Sequence, residues 1–208
     1  FSFPPPPTVL GILGAIAGYG KEEYAEKLDW KNIRIAITLL SPVKRFRAGL
    51  NLINTKDNPL FALKDEDPRT QIPYEFLKEP SYRIIVGNLP SEAFQTIESM
   101  LSSGRTVFTP SLGLAQCLAE IEWLGTEIAK PVGKMEKLSV ASVVPFKQVK
   151  NTCFKPGLRF NRVRIPSRMD SQRVVHVYEE AIVEEQGFPI EVESDSIFEV
   201  MQNRVLFF

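Results

Sequence analysis

Phe1-Ser2-Phe3-Pro4-Pro5-Pro6-Pro7-Thr8-Val9-Leu10-Gly11-Ile12-Leu13-Gly14-Ala15-Ile16-Ala17-Gly18 decides how the rest of the chain is read. The proline run predicts an extended, polyproline-like lead, and Thr8 is placed to cap a short helix from Val9 to Gly18. That helix is apolar on every side. Gly11, Gly14 and Gly18 recur at spacings of three and four, which makes one face without side chains where another backbone can come close. Two partners fit such a face: a sheet of this chain, in an ordinary tightly packed core, or a sugar-phosphate strand.

Downstream, Asn32 to Leu40 alternates, with Ile33, Ile35, Ile37 and Leu39 on one face and Arg34, Ala36 and Thr38 on the other. It predicts a half-buried strand. From Ser41 to Pro80 the periodicity fades over a span too long for an ordinary connection. This stretch carries Lys44, Arg45 and Arg47, and it is expected to be a projecting hairpin or functional loop. Tyr82 to Val86 predicts a short strand. Ser91 to Ser103 predicts an amphipathic helix, with Ser91 as cap, Gly104 as stop, and Phe94, Ile97 and Leu101 on its inner face. Ala119 to Ile128 resumes strand character. Helix, strand, strand, helix, strand is the βαββαβ order of a ferredoxin-like, RRM-like domain with its first strand removed, so the expectation is a β-like segment upstream of Phe1. After Lys130-Pro131-Val132-Gly133 the texture changes to short β-like pieces: Leu138 to Val144, Leu158 to Ile165, Val174 to Val183, Ile190 to Val192 and Ile197 to Phe208. The expected α+β organisation is a ferredoxin-like domain over 1–130 with a hairpin thumb inserted at about 41–80, then a smaller, mostly β domain over 131–208. No repeat of fixed period interrupts this plan.

With 208 residues, 44% hydrophobic and 24% charged, the chain has the composition of a folded protein rather than a disordered one. Lys plus Arg and Asp plus Glu each number 25, so net charge nominates no partner. The distribution does. Lys147, Lys150, Lys155, Arg159, Arg162, Arg164, Arg168 and Arg173 face one acid, Asp170, for a local balance of plus seven. From His176 onward Glu179, Glu180, Glu184, Glu185, Glu191, Glu193, Asp195 and Glu199 face only Arg204, for minus seven. Either the two stretches neutralise each other across a sheet, or the basic one lines a phosphate groove. Phe154, Leu158 and Phe160 lie within the basic stretch, and Phe46 lies among Lys44, Arg45 and Arg47. That mixture of cations and rings suits single-stranded nucleic acid. The longest apolar run, Val9 to Ala17, is too short to span a bilayer. Two cysteines and no disulfide framework point to a reducing, cytoplasmic setting.

Catalytic patterns are sparse. Gly18-x-Gly20-Lys21 is followed by Glu22 where a phosphate-binding loop requires Ser or Thr. Asp65-Glu66-Asp67 ahead of Pro68 reads as a solvated turn and is given no metal role. Cys117 sits in an apolar stretch and reads as core, while Cys153 lies near basic residues with no evident partner base. His176 alternates with Val174 and Tyr178 and reads as structural. Its other reading is metal-free general acid–base cleavage of RNA, with Tyr178 and a lysine such as Lys147. No cofactor is implied.

The opening residues Phe1 to Ile16 resemble the proline-then-glycine-helix signature of the Cas family five proteins of CRISPR systems, in the RAMP superfamily. Arg69-Thr70-Gln71-Ile72-Pro73-Tyr74-Glu75-Phe76-Leu77 with Pro80-Ser81-Tyr82-Arg83-Ile84 resembles that family's lead into its third strand, especially in the type I-B branch. Thr109-Pro110-Ser111-Leu112-Gly113-Leu114-Ala115-Gln116-Cys117 resembles its Leu-Gly-x-x-x-Cys turn after the second helix. The resemblance covers the first half well and the β half poorly. It implies a non-catalytic subunit of a Cascade surveillance complex that grips the 5′ handle of the CRISPR RNA (crRNA) and caps the backbone filament. Its partners would be crRNA, the backbone and large subunits, and target DNA only within the complex, with no membrane. The RNA-binding residues so implied, together with those from the charge pattern, are Gly11, Gly14, Lys44, Arg45, Arg47, Arg69, Gly113, Gln116, Lys147, Arg159, Arg162 and Arg164. One branch of the family cuts repeat RNA with tyrosine, lysine and histidine. Phe46 in the basic cluster and Gln116-Cys117 in the turn depart from that branch and favour binding over cutting. A ferredoxin-like protein without an RNA partner is the remaining reading, should the acidic tail neutralise the basic stretch.

Overall fold

A computed structural model describes residues 1–53, 69–133 and 137–208. The carboxylates at 65–67 lie outside the described residues. The proline run enters the first helix directly: α1 spans Pro6–Ala17 with prolines in its first turn, where a missing N–H costs nothing. Pro5 is the N-terminal flanking residue and no side chain caps the end, so Thr8 falls inside the helix and not at its cap. Val9, Leu10, Leu13 and Ile16 form the buried stripe. Gly18 ends the helix at φ 80°, donating its N–H to the Gly14 carbonyl. A β-carbon on Gly14 would come 2.8 Å from Cβ of Tyr24, so this part of the glycine face is filled by the following helix, α2 (Tyr24–Lys27). Around Gly11 the space is open.

Strand β1 (Arg34–Leu39) is buried from Ile35 to Leu39, on both faces. The alternating pattern predicts one wet face, but Ala36 packs with Val200, Val205 and Phe207 from the C-terminal end of the chain, and Thr38 is buried too. Two separate segments satisfy the backbone of β1: the C-terminal Phe208 donates to the Ile35 carbonyl (2.9 Å), and Val143 donates to the Ile37 carbonyl (2.7 Å). β2 (Arg45–Ile53) and β3 (Arg69–Leu77) form an antiparallel hairpin, in register from Arg45 opposite Leu77 to Ile53 opposite Arg69. The expected hairpin is therefore present in the described part of 41–80. β4 (Tyr82–Gly87) returns antiparallel to β1. α3 (Ser91–Ser102) follows, flanked by Pro90, with no side-chain cap from Ser91. The helices α1 and α3 pack against each other, and with β1 they build the largest core.

The strand expected over Ala119 to Ile128 does not form. Its alternation is real, but a strand exists only where a neighbour takes up its N–H and C=O groups. Among the described residues, no strand or bridge includes 120–129. Ile121, Leu124 and Ile128 are exposed there.

Among the described residues, three small antiparallel sheets follow. β5 (Lys130–Pro131) borders β12 (Phe198–Val200), which pairs with β13 (Asn203–Val205). β6 (Lys137–Val140) and β8 (Asn151–Cys153) flank β11 (Ile190–Glu193). β10 (Val175–Glu184) lies between β7 (Val144–Pro145) and β9 (Phe160–Met169). Val163, Ile165, Ala181 and Val183 from β9 and β10 enter the core shared with α1 and β1, whereas Ile182 and Val144 enter a second cluster on the opposite face. No described helix is long and apolar enough to cross a membrane.

Candidate nucleic-acid interface

The foot of the β2–β3 hairpin is clamped to the end of the β9–β10 pair. Val43 donates its N–H to the Glu185 carbonyl (2.7 Å), and Glu185 donates its own to the Arg159 carbonyl (2.8 Å). The buried Glu184 carboxylate accepts the N–H groups of Arg159, Gln186 and Phe188, which fixes the turn after β10. Glu185 continues the inward phase of Ala181 and Val183, and its carboxylate accepts from Arg45 (2.6 Å), the Ser2 hydroxyl (2.9 Å) and Asn161 (3.4 Å). The Arg45 guanidinium holds the Glu185 carboxyl below the usual range, outweighing burial, and Glu185 in turn raises Arg45. The Tyr82 hydroxyl donates to the Ser2 carbonyl (2.9 Å), and burial pushes its pKa up to about 12.

This lock occupies the Arg45 guanidinium, although the residue stays exposed at the surface. Lys44, Phe46 and Arg47 are exposed; Arg47 is 83% exposed and reaches Glu75 at 3.4 Å. Phe46 stacks on Phe76, with ring centroids 5.3 Å apart. Arg69 lies at the other end of the described ladder, about 27 Å from Arg45 at an ordinary strand rise. Arg159 joins Lys44 and Arg47 at the foot, because the Glu185 backbone bonds tie both segments to one point. Two basic clusters far apart in sequence are thus adjacent in the fold.

Strand alternation divides the rest of the basic stretch. Asn161 faces Glu185 and Arg45, while Arg162 and Arg164 project from the opposite face of the sheet. Arg162 lies 3.8 Å from the centroid of Phe146, in the 3-10 turn Phe146–Gln148, and pairs with Glu180. Arg164 lies 4.7 Å from the Tyr178 ring centroid. Lys147 is exposed beside Phe146. Lys155 pairs with Glu191 (2.6 Å) and Lys137 with Glu193 (4.0 Å). The acidic tail therefore does neutralise part of the basic stretch, but Lys44, Lys147, Arg159 and Arg164 have no acidic partner among the described residues.

The turn after α3 is held to α1. Phe108 and Val107 donate to the carbonyls of Ala15 and Ile16 (2.9 and 3.2 Å). A small loop then closes between Ser111 and Leu118, with Leu112 N–H on the Cys117 carbonyl (2.8 Å). Gly113 and Gln116 are exposed on it, and Cys117, expected in the core, is only partly buried because it sits in this surface turn.

His176 stands at the other end of the β9–β10 pair. Its Nε2 lies 2.6 Å from Asp170 Oδ2, and its ring stacks on Trp30 at 5.1 Å. Bonds from His176 and from the Val174 N–H hold Asp170 below the usual carboxylate range. Arg164 lies over one part of the Tyr178 ring, and no contact unites His176, Tyr178 and Lys147 among the described residues. Sequence reasoning passed over Glu185 and Phe146. The signal for Glu185 was its place in the buried phase of β10; Phe146 offered none, since its role depends on the pairing of β7 with β10.

The fold resembles a chain of a CRISPR RNA-guided surveillance complex, with a TM-score of 0.52 and 15% identity, over 93% of this chain and 81% of that one. A family model described as CRISPR-associated protein (Cas_Cas5) matches residues 2–188. The chain belongs to this CRISPR-associated Cas5 family. No curated protein matches the sequence.

Proposed function

We propose that this protein is a non-catalytic, RNA-binding subunit of a CRISPR Cascade surveillance complex, holding the 5′ handle of crRNA and capping the backbone filament. Family membership and the likeness to a surveillance-complex chain support the setting. The observation that carries the reading is the hairpin foot, where Lys44, Arg47 and Arg159 stand exposed around the Arg45–Glu185 lock. Phosphates of a single strand meet these cations, and Phe46 offers a ring to an unstacked base. Arg45 acts as a positioning residue that aims the hairpin. The open flank of α1 at Gly11 and the exposed turn at Gly113 and Gln116 extend the RNA path, and Arg69 contributes from along the hairpin; Gly14 supports the path by seating α2. The assignment of 1–130 to a ferredoxin-like domain and 131–208 to a β-rich one belongs to the same proposal, supported by the α1, β1, β4, α3 order. So do the backbone and large subunits as partners and a cytoplasmic location.

The test is incubation with labelled repeat RNA in EDTA at low and moderate salt. Retention of uncut handle-bearing RNA, lost on changing Lys44, Arg47 and Arg159 to Ala, is the expected result. A second reading, metal-independent cleavage of repeat RNA, draws on the pairing of His176 with Asp170. Discrete products in EDTA that vanish with His176→Ala would replace the first reading with the second.

A further inference from the structure

We infer that the exposed strip along β9 on the sheet face opposite the hairpin foot, beside the second apolar cluster that covers Val144 and Ile182, is a second binding surface, a stacking platform for single-stranded polynucleotide. Alternation sends Asn161, Val163 and Ile165 toward α1 and β1, and sends Phe160, Arg162 and Arg164 the other way. The two surfaces are therefore separated by the thickness of the sheet.

Rings and cations interleave along this face. Phe154, 60% exposed, meets Phe160 edge to face at 4.9 Å; next come Arg162 over Phe146, then Arg164 over Tyr178, which is 48% exposed. Successive pairs are two residues apart on β9, a step of about 7 Å, which suits an extended strand whose bases lie on rings and whose phosphates meet guanidinium groups. Each guanidinium already lies over a ring, so less ordering is needed when its N–H groups meet a phosphate. Glu180 fixes Arg162 in place, while Arg164 and Lys147 have no acidic partner among the described residues. The exposed rings of Phe146, Phe154 and Tyr178 beside these arginines distinguish this site from a solvated charge run. Stacking and phosphate contact do not use the ribose 2′-hydroxyl, so RNA and DNA share the required chemistry.

The test uses labelled oligouridine and oligothymidine 12-mers with the intact chain. Ultraviolet crosslinking of the unaltered protein, with peptides mapped by mass spectrometry, is expected to mark Phe146, Phe154 or Tyr178. Tyr178→Ala with Phe154→Ala is expected to weaken binding roughly tenfold per ring at high salt, where phosphate contacts are screened, and Tyr178→Phe to restore it. A loss seen with one oligomer only identifies the ligand as RNA or as DNA. Crosslinks confined to 41–77, with unchanged affinity in the ring variants, would overturn the platform and leave the hairpin-foot reading standing. Platform crosslinks that persist when Lys44, Arg47 and Arg159 are changed to Ala, without loss of affinity, would do the reverse.

Discussion

Arg45→Met keeps the aliphatic stem and removes the guanidinium that joins the hairpin to Glu185. The loss comprises a 2.6 Å charge-assisted bond to Glu185, a 2.8 Å bond to the Ser2 hydroxyl and a longer approach to Glu75 at 3.6 Å. A hydrogen bond to a charged group contributes about 1.5–3 kcal/mol when well sheltered, and an exposed ion pair about 0–1 kcal/mol. The Glu185 side chain is 12% exposed and that of Arg45 37%, so the pair falls between these limits, at about 1–2 kcal/mol. For a chain of this size that is a fall in Tm of about 3–6 °C. Calorimetry of Arg45→Met, Glu185→Gln and the double variant gives the cycle. The expected coupling is about 1 kcal/mol or more, with the two single losses failing to add. An unchanged Tm in Arg45→Met, or strict additivity, would show that Arg45 is free for ligand and that the lock is not what seats the hairpin.

Gly11 and Gly14 are predicted to respond to alanine with opposite signs. Gly11→Ala meets nothing within 4 Å and gains helix propensity, for up to about 1 kcal/mol of added stability, whereas Gly14→Ala drives a methyl to 2.8 Å from Tyr24 and costs about 1–3 kcal/mol by denaturant titration. Glu185 is depressed in the folded state, so the unfolded chain binds its proton first as pH falls. Its stabilisation is complete above the ordinary value of 4.5 and is lost as pH drops through the lower folded value; Glu185→Gln should flatten that acid limb in pH-dependent melting. Ile37→Ala, at a site with 0% exposure, should cost about 2–5 kcal/mol in the same titration.

The order of elements was legible from local pattern wherever local pattern decides. Gly18 marks the end of α1, and the inward residues of β1, β9 and β10 follow their periods. The helix starts at Pro6 rather than at the expected Val9, because a proline run suits a first helical turn as well as an extended lead. What was not legible depends on long-range pairing. Ala36 and Thr38 read as a wet face because nothing near them announces Phe207, and Ala119 to Ile128 read as a strand because alternation cannot report a missing neighbour. The site shows the same division. Its cations were plain in the sequence, but which of them are spent internally was not: Arg45 on Glu185 and Arg162 on Glu180 are contacts across 140 and 18 residues. The division of Arg159 from Arg162 and Arg164 between two surfaces follows from strand phase once β9 is known to be buried on its α1 face.

Neutralisation of RNA phosphates by the exposed cations at the hairpin foot is the proposed basis of binding. Its most direct test is the slope of log binding constant against log salt for handle-bearing RNA, comparing the parent with Lys44→Ala/Arg47→Ala/Arg159→Ala. Three phosphate contacts to a single strand predict a slope shallower by about 2. A triple variant with the parental slope and affinity would contradict the account.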